Sequence, residues 1–260
     1  MNSLVYNFYG PKMCMVFLII IWGLIVGTES STLRSQLEME ENAILNSGWW
    51  NTSDSHAHFN ISNRCNWPQI SCNKAGSITK ISIDEFSNTM LYQNRIDFAT
   101  FNLTVFHNLE SLVISNDGLK FAGLKGTIPK EIGLLSKLNY LYLSGNSLVG
   151  KIPPSLGNLT KLTYLALDAN FLVGEIPPSL GNLTTLTYLY LSRNSLVGEI
   201  PPSLGNLTKL TALYLFRNSL VGEIPPSLGN LRKLTELDLS YNKLQGSIPH
   251  ELGFIKTLVI

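Results

Sequence analysis

The segment LSKLNYLYLSGNSLVGKIPPSLGN, from Leu135 to Asn158, recurs with small changes along the second half of the chain. A period in this range is typical of solenoid proteins, in which each unit packs only against its neighbours. Because one 24-residue unit is too small to enclose a core, the stacked copies decide the fold. Further copies begin at Leu159, Leu183, Leu207 and Leu231, and a partial sixth copy begins at Ile255.

Each unit combines a short stretch in which leucines alternate with other residues and a proline-rich segment that leads the chain back to the next strand. The alternation at Leu165 and Leu167 predicts a short strand with its leucines facing inward. The L-x-G-x-I-P-P-S-L-G-N stretch predicts irregular turns along the outside, since Gly permits the bend and Pro fixes φ. The predicted fold is a curved solenoid with a parallel β-sheet on its concave face. Its core column consists of Leu141, Leu165, Leu189, Leu213 and Leu237.

An asparagine follows the strand in every copy. Its side-chain amide suits the backbone carbonyls of a buried turn, which would otherwise lack hydrogen-bond partners. We therefore predict a structural role for this asparagine ladder, which comprises Asn146, Asn170, Asn194, Asn218 and Asn242.

Composition and motifs argue against several classes of function. The 260 residues include 19 Lys+Arg and 18 Asp+Glu, so no strong basic field is available to attract nucleic acid. Gly145–Lys151 fits the spacing of a phosphate loop, but Ile152 stands where the Mg²⁺-binding Ser or Thr belongs. No nucleophile elbow or kinase signature occurs, and the histidines are scattered. We predict no catalytic residue, no metal and no cofactor.

Three features predict the secretory pathway. The apolar run Met13–Val26 is shorter than the ~20 residues of a membrane helix, which favours a signal peptide over a membrane anchor. Cys65 and Cys72 favour a disulfide over free thiols or a metal site shared with His56 and His58. N-x-[ST] glycosylation sequons occur at Asn51, Asn60, Asn102, Asn158, Asn182 and Asn206.

The repeat resembles the plant-type leucine-rich repeat of receptor-like kinases and receptor-like proteins. The resemblance is carried by LVGEIPP at Leu172, Leu196 and Leu220. The stretch SQLEMEENAILNSGWW, followed by CNWPQISC, resembles the disulfide-stapled amino-terminal cap of the same ectodomains. The resemblance implies a right-handed superhelix with short 3₁₀ segments, a small second sheet outside the concave one, and a ligand or partner on the inner or lateral face.

The resemblance also suggests a domain plan. Related receptors continue into more repeats, a membrane helix and a kinase, so we expect a fragment or a truncated product whose membrane link lies in a missing carboxy-terminal part. The predicted divisions are 1–30 signal peptide, 31–104 cap, 105–134 divergent first repeat with an insertion, 135–254 five regular repeats, and 255–260 truncated sixth repeat.

Outward positions of the predicted strands should form columns across the concave face. Exposed tyrosines offer contact area at low entropic cost, and neighbouring guanidinium groups can hold a carboxylate or sulfate. The alternative is that the tyrosines only stabilise the sheet and that the arginines are solvated or paired with Asp168. The candidate ligand-binding residues are Tyr164, Tyr188, Tyr190, Arg193, Tyr214, Phe216 and Arg217.

These features predict a non-catalytic recognition module of a plant cell-surface receptor, located at the plasma membrane when full length and otherwise extracellular or in the cell wall. Its expected partner is a peptide ligand or a protein, such as a co-receptor. The alternatives are a secreted inhibitor of microbial cell-wall-degrading enzymes and a short co-receptor. At Asn230, Arg232 replaces the sequon threonine, which either leaves one flank bare for a second protein or is simple loss of a repeat feature.

Overall fold

The computed structural model describes residues 32–47, 61–67, 69–83, 96–115 and 123–255. The chain divides into two compact units, Met1–Met39 and Glu40–Ile260. An α-helix occupies residues 32–46. In the first unit, Arg34 Nε lies 3.3 Å from Glu38 Oε1, one helical turn away. The predicted signal peptide, the sequons at residues 51 and 60, and the histidines at 56 and 58 lie outside the described residues.

Within the described residues, short strands form two sheets. The strands are β1 (Ile70–Cys72), β2 (Ile78–Ile83), β3 (Ile96–Asp97), β4 (Ser111–Ile114), β5 (Leu124–Thr127), β6 (Tyr140–Tyr142), β7 (Ser147–Lys151), β8 (Tyr164–Ala166), β9 (Phe171–Glu175), β10 (Tyr188–Tyr190), β11 (Ser195–Gly198), β12 (Ala212–Tyr214), β13 (Ser219–Leu220) and β14 (Glu236–Asp238). The inner sheet has eight strands in the order β1-β2-β4-β6-β8-β10-β12-β14, and the outer sheet has six in the order β13-β11-β9-β7-β5-β3.

The inner sheet is parallel from β2 onward, and only its first pair, β1 with β2, is antiparallel. All pairs of the outer sheet are parallel. Successive strands of one sheet belong to successive coils, as a right-handed solenoid requires. The predicted fold, with the long sheet on the concave face and a second sheet outside, is confirmed.

Short 3₁₀ helices link the outer sheet back to the inner one. In the regular repeats the second proline of I-P-P starts the helix, where its fixed φ and missing N–H cost nothing. The 3₁₀ helices span Ile61–Asn66, Phe98–Thr100, Leu103–Val105, Lys130–Leu134, Pro154–Asn158, Pro178–Asn182, Pro202–Asn206, Pro226–Asn230 and His250–Phe254.

The core lies between the two sheets and the 3₁₀ helices. Leu141, Leu165, Leu189 and Leu213 of the predicted inner column are fully buried, and Leu237 is 7% exposed. Burial of each such side chain stabilises the fold by about 1.5–3 kcal/mol, so the stacked coils hold one another in place.

The asparagine ladder joins adjacent coils. Asn170 Nδ2 donates to the carbonyl oxygens of Leu143 (2.9 Å) and Leu167 (3.1 Å), and its Oδ1 accepts the N–H of Leu148 at 3.0 Å. The same pattern of bonds recurs at Asn194 and Asn218. Each amide therefore satisfies backbone groups of its own coil and of the preceding coil.

The amino-terminal region contains the predicted disulfide, in which Cys65 and Cys72 have their Cα atoms 5.5 Å apart. Nearby, the buried carboxylate of Glu40 accepts hydrogen bonds from Ser77 Oγ (2.5 Å) and Ile78 N (2.9 Å). Strands β2 and β3, inside the predicted cap, already pair with repeat strands β4 and β5. The exact domain boundaries stay a prediction.

No helix in the described part of the chain has both the length and the apolar character of a membrane span.

Candidate functional site

Outward residues of the inner sheet form two straight columns. Because the strands pair in register, Tyr140 lies beside Tyr164, which lies beside Tyr188. Two residues further along the strands, Tyr190 lies beside Tyr214. The first column continues through Ala212 to Glu236, and the second begins with Tyr142 and Ala166 and ends at Asp238.

The tyrosine rings form one continuous cluster. Tyr140 and Tyr164 stack with ring centroids 4.4 Å apart, and Tyr190 and Tyr214 stack at 4.8 Å. Tyr164 also meets the ring of Tyr190 edge-on at 5.6 Å, which joins the two stacks. Tyr188 keeps 38% of its surface exposed. The rings therefore stabilise the sheet and still present aromatic surface to solvent.

The small residue Ala166 explains how the two columns meet. Ala166 is buried, and its small side chain leaves room in the second column for the ring of Tyr164 from the first column. The ring centroids of Tyr164 and Tyr142 are 6.3 Å apart. Ala212 is buried in the same way in β12. The aromatic surface is thus built diagonally across the strands as well as along the columns.

Arg193 and Arg217 occupy equivalent turn positions, three residues after the ends of β10 and β12. Their φ angles, 52° and 53°, lie in the left-handed region, and both side chains are exposed. The guanidinium carbon of Arg193 lies 5.6 Å from the ring centroid of Phe216, and that of Arg217 lies 5.3 Å from that of Tyr241. Each arginine therefore leans onto an aromatic ring of the next coil, which restricts its movement.

Neither arginine forms an ion pair within the described residues, where Arg34 pairs with Glu38 and His250 pairs with Glu251. Asp168, the predicted alternative partner, instead accepts a hydrogen bond from Ser144 Oγ. The two guanidinium groups therefore keep their donors available for an anion.

Two residues of the column next to the arginines do not reach solvent. These are Ser144 and Ser192, which are 4% and 3% exposed. The strands end at Tyr142 and Tyr190, so this column already belongs to the turn, where strand alternation no longer applies. Phe216 is the large residue that this column contributes to the surface.

Carboxylates mark the end of the described inner sheet. Tyr214 Oη donates to Glu236 Oε2, and Asp238 Oδ1 accepts the N–H (3.0 Å) and the hydroxyl (2.6 Å) of Ser240. An open cleft of 790 Å³ beside them is lined by Tyr214, Glu236 and Asp238 together with apolar side chains such as Leu252. The face is thus aromatic in its middle, cationic along one side and anionic at this end.

The environment raises the pKa values of three tyrosines. Burial, with smaller effects from neighbouring tyrosines, raises the pKa of Tyr164. Burial and the charge of Glu236 raise the pKa of Tyr190. The hydrogen bond to Glu236, followed by burial, raises the pKa of Tyr214 to about 12. Tyr214 donates a hydrogen bond to Glu236, and all three phenols remain neutral at physiological pH.

The left-handed turn position was missed by the sequence analysis. The sequence does contain a signal for it, because the first regular copy has glycine there, Gly145, with φ 71°. Glycine favours this conformation, whereas Ala169, Arg193, Arg217 and Tyr241 adopt it at some cost. The described residues contain no cluster of three or more His, Cys, Asp or Glu side chains suited to a metal.

The fold and the repeat define the class of protein. Residues 155–259 match the family described as "Leucine-rich repeat region", and residues 137–159 match "Leucine Rich Repeat". The described repeats have the leucine-rich-repeat fold.

Its similarity to plant receptor ectodomains, predicted from the sequence, is also confirmed. The Arabidopsis thaliana leucine-rich repeat receptor-like serine/threonine-protein kinase RGI4 is 42% identical over 115 residues, which cover 44% of this chain and 9% of that protein. The structure of PEPR1 with AtPEP1 matches with TM-score 0.65 and 34% identity, over 75% of this chain and 26% of that one. The structure of Arabidopsis HAESA in complex with the peptide hormone IDA and the co-receptor SERK1 matches with TM-score 0.64 and 34% identity. The match covers 86% of this chain and 40% of that one. The chain therefore spans less than half the length of each of these relatives.

Proposed function

We propose that this chain is the recognition part of a plant cell-surface receptor and that its inner sheet binds an extracellular peptide. The observation that carries the proposal is the continuous tyrosine cluster beside Arg193 and Arg217, two exposed arginines without carboxylate partners. The solved structures of PEPR1 and HAESA, which resemble this chain, contain AtPEP1 and the peptide hormone IDA.

The surface suits an extended peptide with a carboxylate or sulfate at one end. Tyr164, Tyr188, Tyr190 and Tyr214 would pack against its backbone and apolar side chains at little entropic cost, because their rings already hold one another. Arg193 and Arg217 would bind the anionic end through charge-assisted hydrogen bonds, and their contacts with Phe216 and Tyr241 preorganise them.

The rest of the proposed role concerns location and signalling. The disulfide is typical of an oxidising compartment, and the sequons are consistent with passage through the secretory pathway. Signalling would belong to a membrane and kinase portion like that of the related receptors, and the solenoid itself would not catalyse a reaction. A co-receptor would be a further partner of the complex.

The test compares peptide capture by the glycosylated wild-type chain and by the double variant Arg193→Ala/Arg217→Ala. Immobilised protein is exposed to peptides from plant extracellular fluid, captured peptides are identified by mass spectrometry, and each is synthesised as free acid and as amide. We expect wild type to bind the acids about tenfold or more tightly than the amides. The double variant should lose this difference.

Lys161→Ala/Lys209→Ala is the matched control, because both lysines are exposed and lie outside the tyrosine columns. Arg193→Lys/Arg217→Lys tests whether the planar guanidinium is required or only the charge. Unchanged capture by the alanine double variant rejects the anion site. Capture of a folded cell-wall-degrading enzyme in place of peptides would favour the inhibitor alternative.

A further inference from the structure

The 3₁₀ helices of the regular repeats stack into a ridge. Gly157 lies so close to the next helix that a Cβ atom there would be 2.3 Å from the carbonyl oxygen of Ser179. The hydroxyl of Ser179 in turn donates to the carbonyl oxygen of Pro154 at 2.7 Å. Because the same contacts recur in the next coils, equivalent residues form straight rows along the ridge.

One of these rows consists of the sequon asparagines. Asn158, Asn182 and Asn206 each end a 3₁₀ helix, and their side chains are exposed. The sequon threonines two residues later, the first of them Thr160, are exposed as well. A glycan on each asparagine would place bulky, hydrated sugar over three consecutive coils.

The row changes character at the fourth regular coil. Asn230 is exposed like its predecessors, but Arg232 takes the place of the threonine and removes the sequon. In the following coil Phe254 occupies the position of the asparagine, and 57% of its surface is exposed. The protein surface is therefore free of sequons where an exposed aromatic ring appears.

Side chains from both coils form an organised cluster at this place. The guanidinium carbon of Arg232 lies 5.5 Å from the ring centroid of Phe254, and the ring of His250 meets Phe254 edge-on at 6.1 Å. On the same helix, His250 Nδ1 lies 3.4 Å from Glu251 Oε2. Lys233 is exposed next to Arg232.

We propose that Arg232, Lys233 and Phe254 form a sugar-free contact surface, at the end of a glycosylated ridge, that takes an acidic segment of a partner protein. The charges favour this occupant, since the exposed cations of Arg232 and Lys233 outnumber the single nearby carboxylate, the half-buried Glu251. Phe254 adds apolar area that an aromatic or aliphatic side chain of the partner would cover. The surface is separate from the tyrosine cluster and does not depend on the peptide bound there.

The repeat supplies a variant that restores the sugar without disturbing the backbone. Arg232→Thr recreates the sequon at Asn230 in a position that already holds threonine in three coils. The local turn is the same, because the N–H of Arg232 donates to Asn230 O at 2.8 Å and that of Thr208 donates to Asn206 O at 2.9 Å. The variant should therefore fold and carry one extra glycan.

The experiment uses the secreted, glycosylated full chain carrying Arg193→Ala and Arg217→Ala, so that the inner-sheet arginines make no contribution. The probe is an immobilised glutamate–tyrosine copolymer, and binding is measured by biolayer interferometry at two salt concentrations. We expect Arg232→Thr to weaken binding about tenfold or more, and Lys233→Ala to weaken it by a smaller factor. Higher salt should weaken binding by the unmodified surface.

Matched variants separate sugar from charge. Asn230→Gln/Arg232→Thr lacks the glycan and should bind like Arg232→Ala, between wild type and Arg232→Thr. Lys209→Ala removes the lysine equivalent to Lys233 one coil earlier, beside the sugar at Asn206, and should leave binding unchanged.

Mass spectrometry of the intact chain reports whether Asn158, Asn182 and Asn206 carry glycans and whether Arg232→Thr adds one. Absence of sugar on the three asparagines overturns the proposal, as do equal effects of Lys209→Ala and Lys233→Ala. The proposal is also overturned if glycosylated Arg232→Thr binds as well as the unmodified surface, or if the copolymer fails to bind. Polygalacturonate serves as a competing probe, and its preferential binding would overturn the proposal too. The last result would assign the cluster to an acidic polysaccharide.

Discussion

Asn170 Nδ2 lies 2.9 Å from the carbonyl oxygen of Leu143, a residue of the preceding coil. The same side chain binds the carbonyl of Leu167 in its own coil and the N–H of Leu148 at the start of the outer strand before it. The buried amide of Asn170 thus joins the turn of its own coil to two backbone groups that flank the turn of the preceding coil, the carbonyl of Leu143 and the N–H of Leu148. These bonds couple the coils, because groups left without them have no access to water.

Replacing this asparagine should therefore be costly. We expect Asn170→Ala to lower the free energy of unfolding by about 3 kcal/mol, since several buried backbone groups lose their partners at once. Urea unfolding monitored by circular dichroism measures the change. Asn230→Ala is the control, because that asparagine is exposed and should give a change below about 0.5 kcal/mol. Equal effects of the two substitutions would contradict the coupling role of the ladder.

The close packing of the 3₁₀ helices gives a second prediction. A Cβ atom on Gly181 would lie 2.4 Å from the carbonyl oxygen of Ser203 in the next helix, whereas one on Gly253 would meet no described atom within 4 Å. Gly181→Ala should therefore cost about 1–3 kcal/mol through forced separation of the coils, and Gly253→Ala should be neutral or slightly stabilising. Thermal unfolding of both variants tests the difference. A similar loss for both would show that contact with the next helix is not the reason for glycine at this position.

The sequence was sufficient to predict the register of the face. A repeat of constant length places Tyr164, Tyr188 and Ala212 side by side in any parallel stack, so the columns follow from counting alone. The inward leucines and the disulfide could be predicted from alternation and from cysteine spacing.

Other features depend on dihedral angles and rotamers, which periodicity does not determine. The strands end at Tyr142 and Tyr190, so the buried Ser144 and Ser192 could not be placed by extending the strand pattern. The direction of Arg193 depends on the ring of Phe216 one coil later, a contact between two rotamers. Whether the seven candidate residues bind a ligand stays a prediction.

The left-handed turn yields a stabilising substitution. Ala169 has φ 52°, in a position where the preceding coil carries Gly145. Glycine avoids the Cβ contact that makes this conformation unfavourable for alanine, although it adds entropy to the unfolded chain. We expect Ala169→Gly to raise the free energy of unfolding by about 0.5–1 kcal/mol, measured by urea unfolding.

The matched control for this change is Ala212→Gly, at a buried alanine that begins strand β12. Glycine in a strand gains no relief of strain and loses packing, so this variant should be less stable by about 1 kcal/mol. A loss of stability in Ala169→Gly would mean that the turn holds alanine without strain.

Tyr214 should make stability depend on pH in the alkaline range. Its hydrogen bond to Glu236, followed by burial, raises its pKa in the folded protein from the usual 10.0 to about 12. The folded state therefore keeps a proton that the unfolded state loses, so the contribution is fully present below pH 10 and disappears as pH rises toward 12. Thermal unfolding between pH 9 and pH 12, at the approximate limits of this window, measures the loss.

The loss should be smaller in Tyr214→Phe, which has no phenol to titrate, and in Glu236→Gln, which removes the charge that disfavours the phenolate. Near-ultraviolet absorbance should show Tyr214, and to a smaller extent Tyr190, ionising at lower pH in the folded Glu236→Gln variant than in wild type. Parallel stability curves for wild type and Tyr214→Phe would contradict the assignment, because the pH dependence would then come from other groups.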